Sequence, residues 1–148
     1  MEAPALPTTG TFLDLGCGAG PMAMTMARRS PQSSVWAVDV NERARQLTRD
    51  NATSLALTNV TVTSPDDVPQ ELLFDVIWSN PPIKAGKKEL HDLLTRWLER
   101  LTPTGVAVLV VNKNLGSDSL AKWLGDLGWN VKRISSRQGY RVLLVRRG

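Results

Sequence analysis

The 148-residue sequence is poor in the residues that build covalent or metal-based scaffolds. It contains one cysteine, Cys17, and one histidine, His91. A single cysteine excludes an internal disulfide framework and a cysteine-based zinc site, and a single histidine argues against a histidine-rich metal site. We therefore expect a protein with no metal centre, in which a hydrophobic core stabilises the fold.

The chain also lacks long apolar segments. No apolar run approaches the roughly 20 residues that a membrane-spanning helix needs. The first ten residues, MEAPALPTTG, have neither the basic region nor the apolar region of a signal peptide. Hydrophobic residues form 42% of the chain and charged residues 22%, which is typical of a globular domain. These features predict a cytoplasmic protein with no membrane partner.

The charge is unbalanced towards lysine and arginine. The formal net charge is +4 and the isoelectric point is about 9.6, which favours an acidic partner such as nucleic acid. The excess is uneven, because Lys84, Lys87 and Lys88 form one cluster and the C-terminal third of the chain carries another. Surface charge that only keeps the protein in solution is the alternative interpretation.

Apolar runs alternate with amphipathic segments along the chain. Five apolar runs predict buried strands over residues 11–16, 34–40, 59–64, 73–80 and 106–112. Strands that are apolar on both faces and alternate with helices are typical of a parallel sheet covered on both sides. Two more strands near the C-terminus, separated by "RQG", are expected to pair antiparallel at one end of the sheet.

Leucine stripes and capping residues mark the helices. One apolar stripe with helical spacing covers residues 90–101, and a second over residues 120–127 is followed by Gly128 at the expected C′ position. Asn41 is the expected N-cap of the helix after the second strand. The sequence thus predicts one doubly wound α/β domain over residues 1–148.

A glycine-rich loop, DLGCGAGP, follows the first predicted strand. Gly16, Gly18 and Gly20 allow the backbone to turn tightly and to lie close to a ligand at a helix N-terminus. The G-x-G-x-G spacing departs from the dinucleotide fingerprint G-x-G-x-x-G, which disfavours a nicotinamide enzyme. Asp39 ends the second strand 19 positions after Gly20, where a carboxylate is able to accept hydrogen bonds from two ribose hydroxyls. The order of these elements predicts a nucleoside site.

Three segments, LDLGCGAGP, AVDVN and FDVIWSNPPI, together resemble the class I S-adenosylmethionine-dependent methyltransferases. The resemblance is closest to the methyltransferase small-domain family, which includes the guanine-N2 methyltransferases of ribosomal RNA. It runs from about Phe12 to Val145. It implies a Rossmann-like seven-stranded sheet with the last strand antiparallel, S-adenosylmethionine as cofactor and ribosomal RNA or a ribosomal subunit as partner.

The resemblance also assigns roles to residues at matching motif positions. Asp14 and the three glycines are expected at the methionine and ribose end of the cofactor, and Asp39 on the ribose hydroxyls. Asp66 or Asp67 is expected at the adenine amino group, and we favour Asp66. Cys17 is interpreted as a small side chain packed within the loop. The predicted cofactor-binding residues are Asp14, Gly16, Cys17, Gly18, Gly20, Asp39, Val40, Asp66 and Asn80.

The corner formed by Asn80, Pro81 and Pro82 is the predicted reaction centre. An exocyclic base amine is a weak nucleophile because its lone pair is delocalised into the ring. The side-chain carbonyl of Asn80 and the backbone carbonyl of Pro81 would accept hydrogen bonds from both N–H groups and favour a pyramidal nitrogen. Simple termination of the fourth strand is the structural alternative.

The residues after the corner are predicted to contact the substrate. Ile83 stands where many relatives carry an aromatic residue that stacks on the target base. Lysines follow on the loop, on the next helix and after the fifth strand, where phosphates would reach them. The predicted catalytic residues are Asn80, Pro81, Pro82 and Ile83, and the predicted nucleic-acid contacts are Lys84, Lys87, Lys88 and Lys113.

Three functions are compatible with these motifs. The leading hypothesis is methylation of guanine N2 in ribosomal RNA. The same chemistry suits a protein glutamine N5-methyltransferase, and the fold also suits a non-catalytic nucleic-acid-binding module. Relatives usually carry a segment before the glycine loop that covers the cofactor; this chain starts about ten residues before its first strand and is expected to lack that segment.

Overall fold

The computed structural model describes residues 6–16, 18, 20–80, 86–112, 116–137 and 139–148. The strands, in chain order, are β1 Thr11–Leu15, β2 Ser34–Val38, β3 Val60–Thr63, β4 Phe74–Ser79, β5 Leu101–Asn112, β6 Trp129–Arg137 and β7 Tyr140–Arg147. The α-helices are α1 Pro21–Arg29, α2 Glu42–Ser54, α3 Lys87–Leu98 and α4 Ser117–Asp126.

The strands form one seven-stranded sheet in the order β3-β2-β1-β4-β5-β7-β6. The first five strands are parallel, and β7 is antiparallel to both β5 and β6. This arrangement confirms the predicted doubly wound sheet with an antiparallel last strand. Strand order reverses between β1 and β4, because the chain proceeds outwards from β1 in one direction and from β4 in the other.

Each face of the sheet is buried by its own helices. Apolar side chains of β1 alternate between the faces, so Phe12 packs on one side and Leu13 on the other. The first face packs against buried residues of α1 and α2, namely Ala23, Met24, Met26, Ala27 and Ala52. The second face packs against α3 and α4 through Leu90, Leu94, Trp97, Leu98, Leu120 and Leu124.

Local signals explain where the helices begin and end. The Asn41 side chain accepts a hydrogen bond from the backbone N–H of Ala44 at 3.1 Å, which confirms Asn41 as the N-cap of α2. Pro21 is the first residue of α1, a position where its missing N–H costs nothing. Gly128 follows the C-cap of α4 with φ of 99°, as predicted for a C′ glycine.

The predicted end of α3 was wrong. Leu101 continues the helical stripe in the sequence, but α3 ends at Leu98 and Leu101 opens β5. The reason is a long-range contact, because Phe74 pairs with Leu101 across the sheet. The next aligned pair is Val76 with Val106, so β5 bulges and takes up the "TPTG" residues within the strand.

The ends of the parallel strands are in register. Thr63, Val38, Leu15, Ser79 and Leu109 lie side by side across β3, β2, β1, β4 and β5. Residues that follow this row therefore meet at one edge of the sheet, beside the point where the strand order reverses. Open α/β sheets bind ligands at this edge.

Candidate functional site

A cavity of about 660 Å³ lies at the carboxyl ends of β1, β2 and β4. Cavities of roughly 300–1,000 Å³ are typical of small-molecule sites. The residues that line it are Leu15, Gly16, Gly18, Val38, Asp39, Val40, Pro65, Ser79, Asn80, Glu89, Leu90, Asp92, Leu93, Arg96 and Trp97. Five predicted site residues are therefore brought together: Gly16, Gly18, Asp39, Val40 and Asn80.

The glycine loop is held by contacts from the neighbouring elements. The backbone N–H of Gly18 donates to Asp39 Oδ2 at 3.0 Å, and its carbonyl accepts from Thr48 Oγ1 at 2.9 Å. The N–H of Gly16 donates to the carbonyl of Val38 at 2.8 Å. Thr48 lies in α2 and is fully buried. Gly16 and Gly18 are thus held by β2, by Asp39 directly after it and by α2.

Gly20 differs from Gly16 and Gly18 in how closely it packs against its neighbours. A Cβ at Gly20 would lie 2.7 Å from Thr48 Cγ2, and the φ of Gly20 is 88°, so packing against α2 requires glycine there. A Cβ at Gly16 or Gly18 would meet nothing within 4 Å in the part of the chain that the structure describes. Gly20 therefore serves the fold, whereas Gly16 and Gly18 keep their backbone open to the cavity.

Asp39 combines a structural contact with spare acceptor capacity. Its Oδ1 accepts from the N–H of Asn41 at 2.9 Å, while Oδ2 accepts from Gly18. A carboxylate offers about four acceptor sites, so, counting bonds from the described residues, each oxygen is able to accept one more hydrogen bond. Val40 follows Asp39, lines the cavity and is 81% exposed, which is unusual for a valine.

Asp14 lies beneath the loop and is not among the described residues that line the cavity. It is buried, and its Oδ2 accepts from the N–H of Ala23 in the first turn of α1 at 3.0 Å. Burial raises the pKa of Asp14 to about 7; the bond from Ala23 lowers it and the nearby Asp39 charge raises it further. Asp14 was predicted at the methionine and ribose end, but its carboxylate faces the start of α1.

The residues after β3 form the other end of the cavity. Asp66 Oδ1 accepts from Arg96 Nη2 at 3.1 Å, and Asp67 Oδ2 accepts from Ser64 Oγ at 3.0 Å. Pro65 and Arg96 line the cavity themselves. Of the two acids, Asp66 is the one that pairs with a residue lining the cavity, Arg96. The Asp66 side chain is 91% exposed.

Of the predicted reaction centre, the structure describes Asn80, and it also describes the preceding residue, Ser79. Asn80 follows β4, is exposed and lines the cavity. Ser79 also lines the cavity, but it is fully buried and its hydroxyl has no hydrogen-bond partner among the described residues. Six predicted residues lie outside the described residues: Cys17, Pro81, Pro82, Ile83, Lys84 and Lys113.

Two of the predicted substrate lysines are described. Lys87 and Lys88 are exposed in the first turn of α3, close in the sequence to the cavity residue Glu89. Lys88 Nζ pairs with Asp92 Oδ2 at 3.0 Å, and both side chains are largely exposed. The pair exchanges readily with solvent and other ions because exposed ion pairs contribute little energy.

Helix α3 supplies residues that the sequence analysis did not assign to the site. Glu89, Asp92 and Arg96 line the cavity together with parts of the leucine stripe. Their i, i+3 and i+7 spacing places them on one side of the helix. This spacing is visible in the sequence and could have been used to predict a polar face of α3. Thr48 and Ser79 had no such signal, because their roles depend on contacts between distant elements.

His91 lies on the side of α3 that faces α4. Its ring stacks on Trp123 with centroids 3.7 Å apart and an interplanar angle of 4°. Burial lowers the pKa of His91, with a further lowering from Lys87 and an opposing effect of Asp92. The described residues contain no group of three or more His, Cys, Asp or Glu side chains that could hold a metal ion. Nor, within the same residues, is any helix long and apolar enough to cross a membrane.

Comparison with known proteins gives a family and several relatives. A family model of the methyltransferase small domain matches residues 2–144. The uncharacterized protein YbxB of Bacillus subtilis is 33% identical over 141 residues, covering 93% of this chain and 70% of that protein. Ribosomal RNA small subunit methyltransferase C of Pseudomonas entomophila is 34% identical over 146 residues, covering 95% of this chain and 42% of that protein. The chain therefore spans less than half the length of that methyltransferase.

Another relative and two solved structures extend the comparison. The release factor glutamine methyltransferase of Flavobacterium psychrophilum is 35% identical over 86 residues, covering 54% of this chain and 30% of that protein. TrmN of Thermus thermophilus superposes with a TM-score of 0.74 at 25% identity, covering 93% of this chain and 44% of that one. A methyltransferase of Pyrococcus furiosus superposes with a TM-score of 0.73 at 26% identity, covering 93% and 74%.

The position of Asp14 predicts a specific dependence of stability on pH. Its folded-state pKa of about 7 lies above the ordinary value of 3.8, so the folded protein binds a proton that the unfolded chain releases. The free energy of unfolding should therefore fall between about pH 4 and pH 7, by up to ~1.4 kcal/mol per pH unit, and this contribution is constant above pH 7. Asp14→Asn keeps an acceptor for Ala23 but should lack this decline.

Urea unfolding between pH 4 and 8 measures the effect as the difference in free energy of unfolding between Asp14→Asn and the unmutated protein. The difference should grow in favour of Asp14→Asn up to about pH 7 and then level off. Asp126→Asn, which removes an exposed carboxylate of α4, is the matched control. Curves for Asp14→Asn and the unmutated protein that run parallel over the whole range would contradict the assignment.

Proposed function

Because this chain belongs to the methyltransferase small-domain family, we propose that it is an S-adenosylmethionine-dependent N-methyltransferase acting on an exocyclic base amine, guanine N2 of ribosomal RNA. One observation carries the proposal. The open glycine loop, Asp39 and Asn80 line a single cavity at the edge where the strand order reverses. The glycine loop and Asp39 suit a nucleoside, and Asn80 suits a planar amine.

The residues of the cavity fit S-adenosylmethionine. Gly16 and Gly18 leave open space where any side chain would project. Among the described residues only one donor contacts each Asp39 oxygen, which leaves a site on each for a pair of ribose hydroxyls, and the exposed Val40 offers an apolar surface to the adenine ring. When bound, S-adenosylmethionine supplies an electrophilic methyl group on a sulfonium sulfur.

The order of the strands separates the two tasks of the site. Asp39 follows β2 and Asn80 follows β4, with β1 between them. Two strand spacings amount to about 10 Å. In the proposed enzyme Asp39 holds the nucleoside part on one side of the glycine loop, and Asn80 meets the target amine on the other.

Asn80 would act by accepting a hydrogen bond from the target amine. Its side-chain carbonyl, helped by the backbone carbonyl of Pro81, would draw the amine lone pair out of conjugation with the ring and direct it towards the methyl group. The nitrogen would gain the methyl group as the carbon–sulfur bond breaks, and would then lose one N–H proton to water. This task requires position and dipoles more than a strong base. His91 is stacked on Trp123, which suits it for packing between helices rather than for proton transfer.

RNA is the substrate that the surface near the cavity favours. Lys87 and Lys88 are exposed at the start of α3, and the whole chain carries a formal charge of +4. The relative from Pseudomonas entomophila, which matches 95% of this chain, is a ribosomal RNA methyltransferase by name. These observations support ribosomal RNA as the acceptor.

A protein glutamine side chain is the second candidate acceptor. The release factor glutamine methyltransferase of Flavobacterium psychrophilum shares 35% identity over 86 residues. A primary amide resembles an exocyclic base amine, since its nitrogen lone pair is also delocalised, and Asn80 would act on both in the same way. The exposed lysines favour RNA over this alternative.

The first prediction concerns cofactor binding. Asp39→Ala should weaken S-adenosylhomocysteine binding about 100-fold, because two hydrogen bonds to a charged acceptor are lost. Isothermal titration calorimetry measures the affinity, and circular dichroism confirms that each variant is folded. Asp50→Ala, on the exposed side of α2, removes the same charge away from the cavity and should bind like the unmutated protein.

The assignment of Asp39 fails if Asp39→Ala binds as tightly as the unmutated protein. Absence of binding by the folded, unmutated protein would contradict the cofactor site as a whole.

The second prediction concerns catalysis. Asn80→Ala should lower kcat for methyl transfer roughly 100-fold, a typical loss when one hydrogen bond that stabilises the transition state is removed. The affinity for S-adenosylhomocysteine should change much less than kcat. Asn130→Ala, on the exposed edge strand β6, is the control. An unchanged kcat for Asn80→Ala would remove Asn80 from the reaction centre.

The third prediction identifies the acceptor. Labelled S-adenosylmethionine is incubated with naked ribosomal RNA, assembled ribosomal subunits and release factors, with Asn80→Ala as the background reaction. We expect label in RNA, and nuclease digestion should recover it as N2-methylguanosine. Label in a glutamine of a release factor would support the second candidate. No label in any acceptor, with cofactor binding intact, would indicate a binding module.

A further inference from the structure

Ser79 carries a buried hydroxyl that the fold does not use. The residue is fully buried at the last position of β4, and its Oγ has no hydrogen-bond partner among the described residues. The other buried polar residues of the described chain are all bonded: Asp14, Ser30, Ser33 and Thr48. Ser79 is therefore an exception among the buried polar residues that the structure describes.

An unsatisfied buried hydroxyl is costly. Folding removes its hydrogen bonds to water without replacing them, which disfavours the folded state by about 1–3 kcal/mol. Alanine would fill nearly the same space at this strand position without that cost. Native proteins pair the great majority of such groups, so the exceptions call for an explanation in function.

The neighbours of Ser79 in the sheet are apolar, and the residue borders the cavity. In the row of strand ends its neighbours are Leu15 on β1 and Leu109 on β5, both buried and apolar. Ser79 lines the cavity, and Leu90 of α3 closes the same face. Ser79 thus holds a buried hydroxyl, unpartnered within the described residues, among apolar neighbours at the wall of the cavity, and binding sites orient a ligand with a few polar groups in such apolar surroundings.

The strand order indicates which part of the ligand meets this hydroxyl. Asp39, on the β2 side of the glycine loop, suits the ribose, and Val40 and Pro65 continue the cavity towards β3. Ser79 lies on the opposite side of the loop, on β4. If the ribose lies on Asp39 and the base lies against Val40 and Pro65, the 5′ substituent of the nucleoside points towards Ser79.

We propose that Ser79 Oγ is a cofactor-binding group that hydrogen-bonds the charged amino-acid end of S-adenosylmethionine. The inference rests on the proposed function and adds to it a residue and a ligand group. A hydroxyl both donates and accepts, so it is able to bind the carboxylate or the ammonium group of that end. Ser79 thereby distinguishes the complete cofactor from nucleosides that lack the amino acid.

The test compares two ligands on three variants by calorimetry. S-adenosylhomocysteine contains the amino-acid end, whereas 5′-methylthioadenosine lacks it. Ser79→Ala should weaken S-adenosylhomocysteine about 10-fold, as for loss of one hydrogen bond to a charged group, and should leave methylthioadenosine unchanged within about twofold. Ser79→Cys fills the site but hydrogen-bonds weakly, so it should behave like Ser79→Ala.

Thermal unfolding without ligand separates this role from a structural one. Ser79→Ala loses no hydrogen bond within the described chain, so its melting temperature should equal or exceed that of the unmutated protein. Ser33→Ala is the matched control, because the buried Ser33 Oγ donates to the carbonyl of Ser30 at 2.6 Å. Ser33→Ala should melt about 2–4 °C lower and bind both ligands normally.

Several results would overturn the inference. One is unchanged binding of S-adenosylhomocysteine by Ser79→Ala, and another is an equal loss for both ligands. A third is normal binding by Ser79→Cys, which would indicate that volume and not the hydroxyl matters. These outcomes leave the proposed function standing if the unmutated protein binds S-adenosylhomocysteine; if it does not, the proposed function and the inference fail together.

Discussion

The carboxylate of Asp39 binds the backbone of the glycine loop, and the cavity depends on that contact. A glycine loop has more conformational freedom than any other short segment, so ordering it upon ligand binding would be unfavourable. Here Asp39 accepts from the N–H of Gly18, and Thr48 donates to the carbonyl of the same residue. Gly18 is thus held by two contacts before a ligand arrives, and less binding energy is lost in fixing its backbone.

The same contact couples the proposed cofactor site to the sheet. Asp39 follows β2 directly, and the row of strand ends sets its height relative to Leu15 and Ser79. Groups that must meet one ligand are therefore placed by backbone hydrogen bonds between strands, which are short and numerous, and not by long flexible side chains. A rigid sheet edge with polar groups at the strand ends is well suited to hold a site to the required accuracy.

Features governed by neighbouring residues could be predicted from the sequence. Alternating apolar runs and helical stripes predicted the doubly wound sheet, and Asn41 and Gly128 marked helix ends because capping is a local interaction. The glycine loop and Asp39 were recognisable because their spacing is fixed by one βαβ unit. About a third of the predicted site residues lined the cavity as described, among them Gly18 and Asn80.

What the sequence did not predict depends on contacts between distant segments. Leu101 fits the helical period, and only its pairing with Phe74 assigns it to β5. Nothing in the sequence distinguishes Thr48 from other residues of α2, yet its side chain contacts Gly18, which lies 30 residues earlier. Asp66 and Arg96, which form an ion pair, are likewise 30 residues apart in the sequence. Such contacts have no local pattern, because they depend on how the elements pack.

The polar groups of the site differ in how firmly they are held, and this difference matches the tasks that we propose for them. Asp39 is held by two backbone N–H groups, and Ser79 is enclosed within the sheet, so both are fixed in place. Asn80 is exposed and comes after the last residue of β4. A group that recognises an invariant cofactor benefits from rigidity, whereas a group that must admit and release a large acceptor has to remain accessible. The buried Ser79 and the exposed Asn80 are neighbours in the sequence, so the rigid part and the accessible part of the proposed site are joined by one peptide bond.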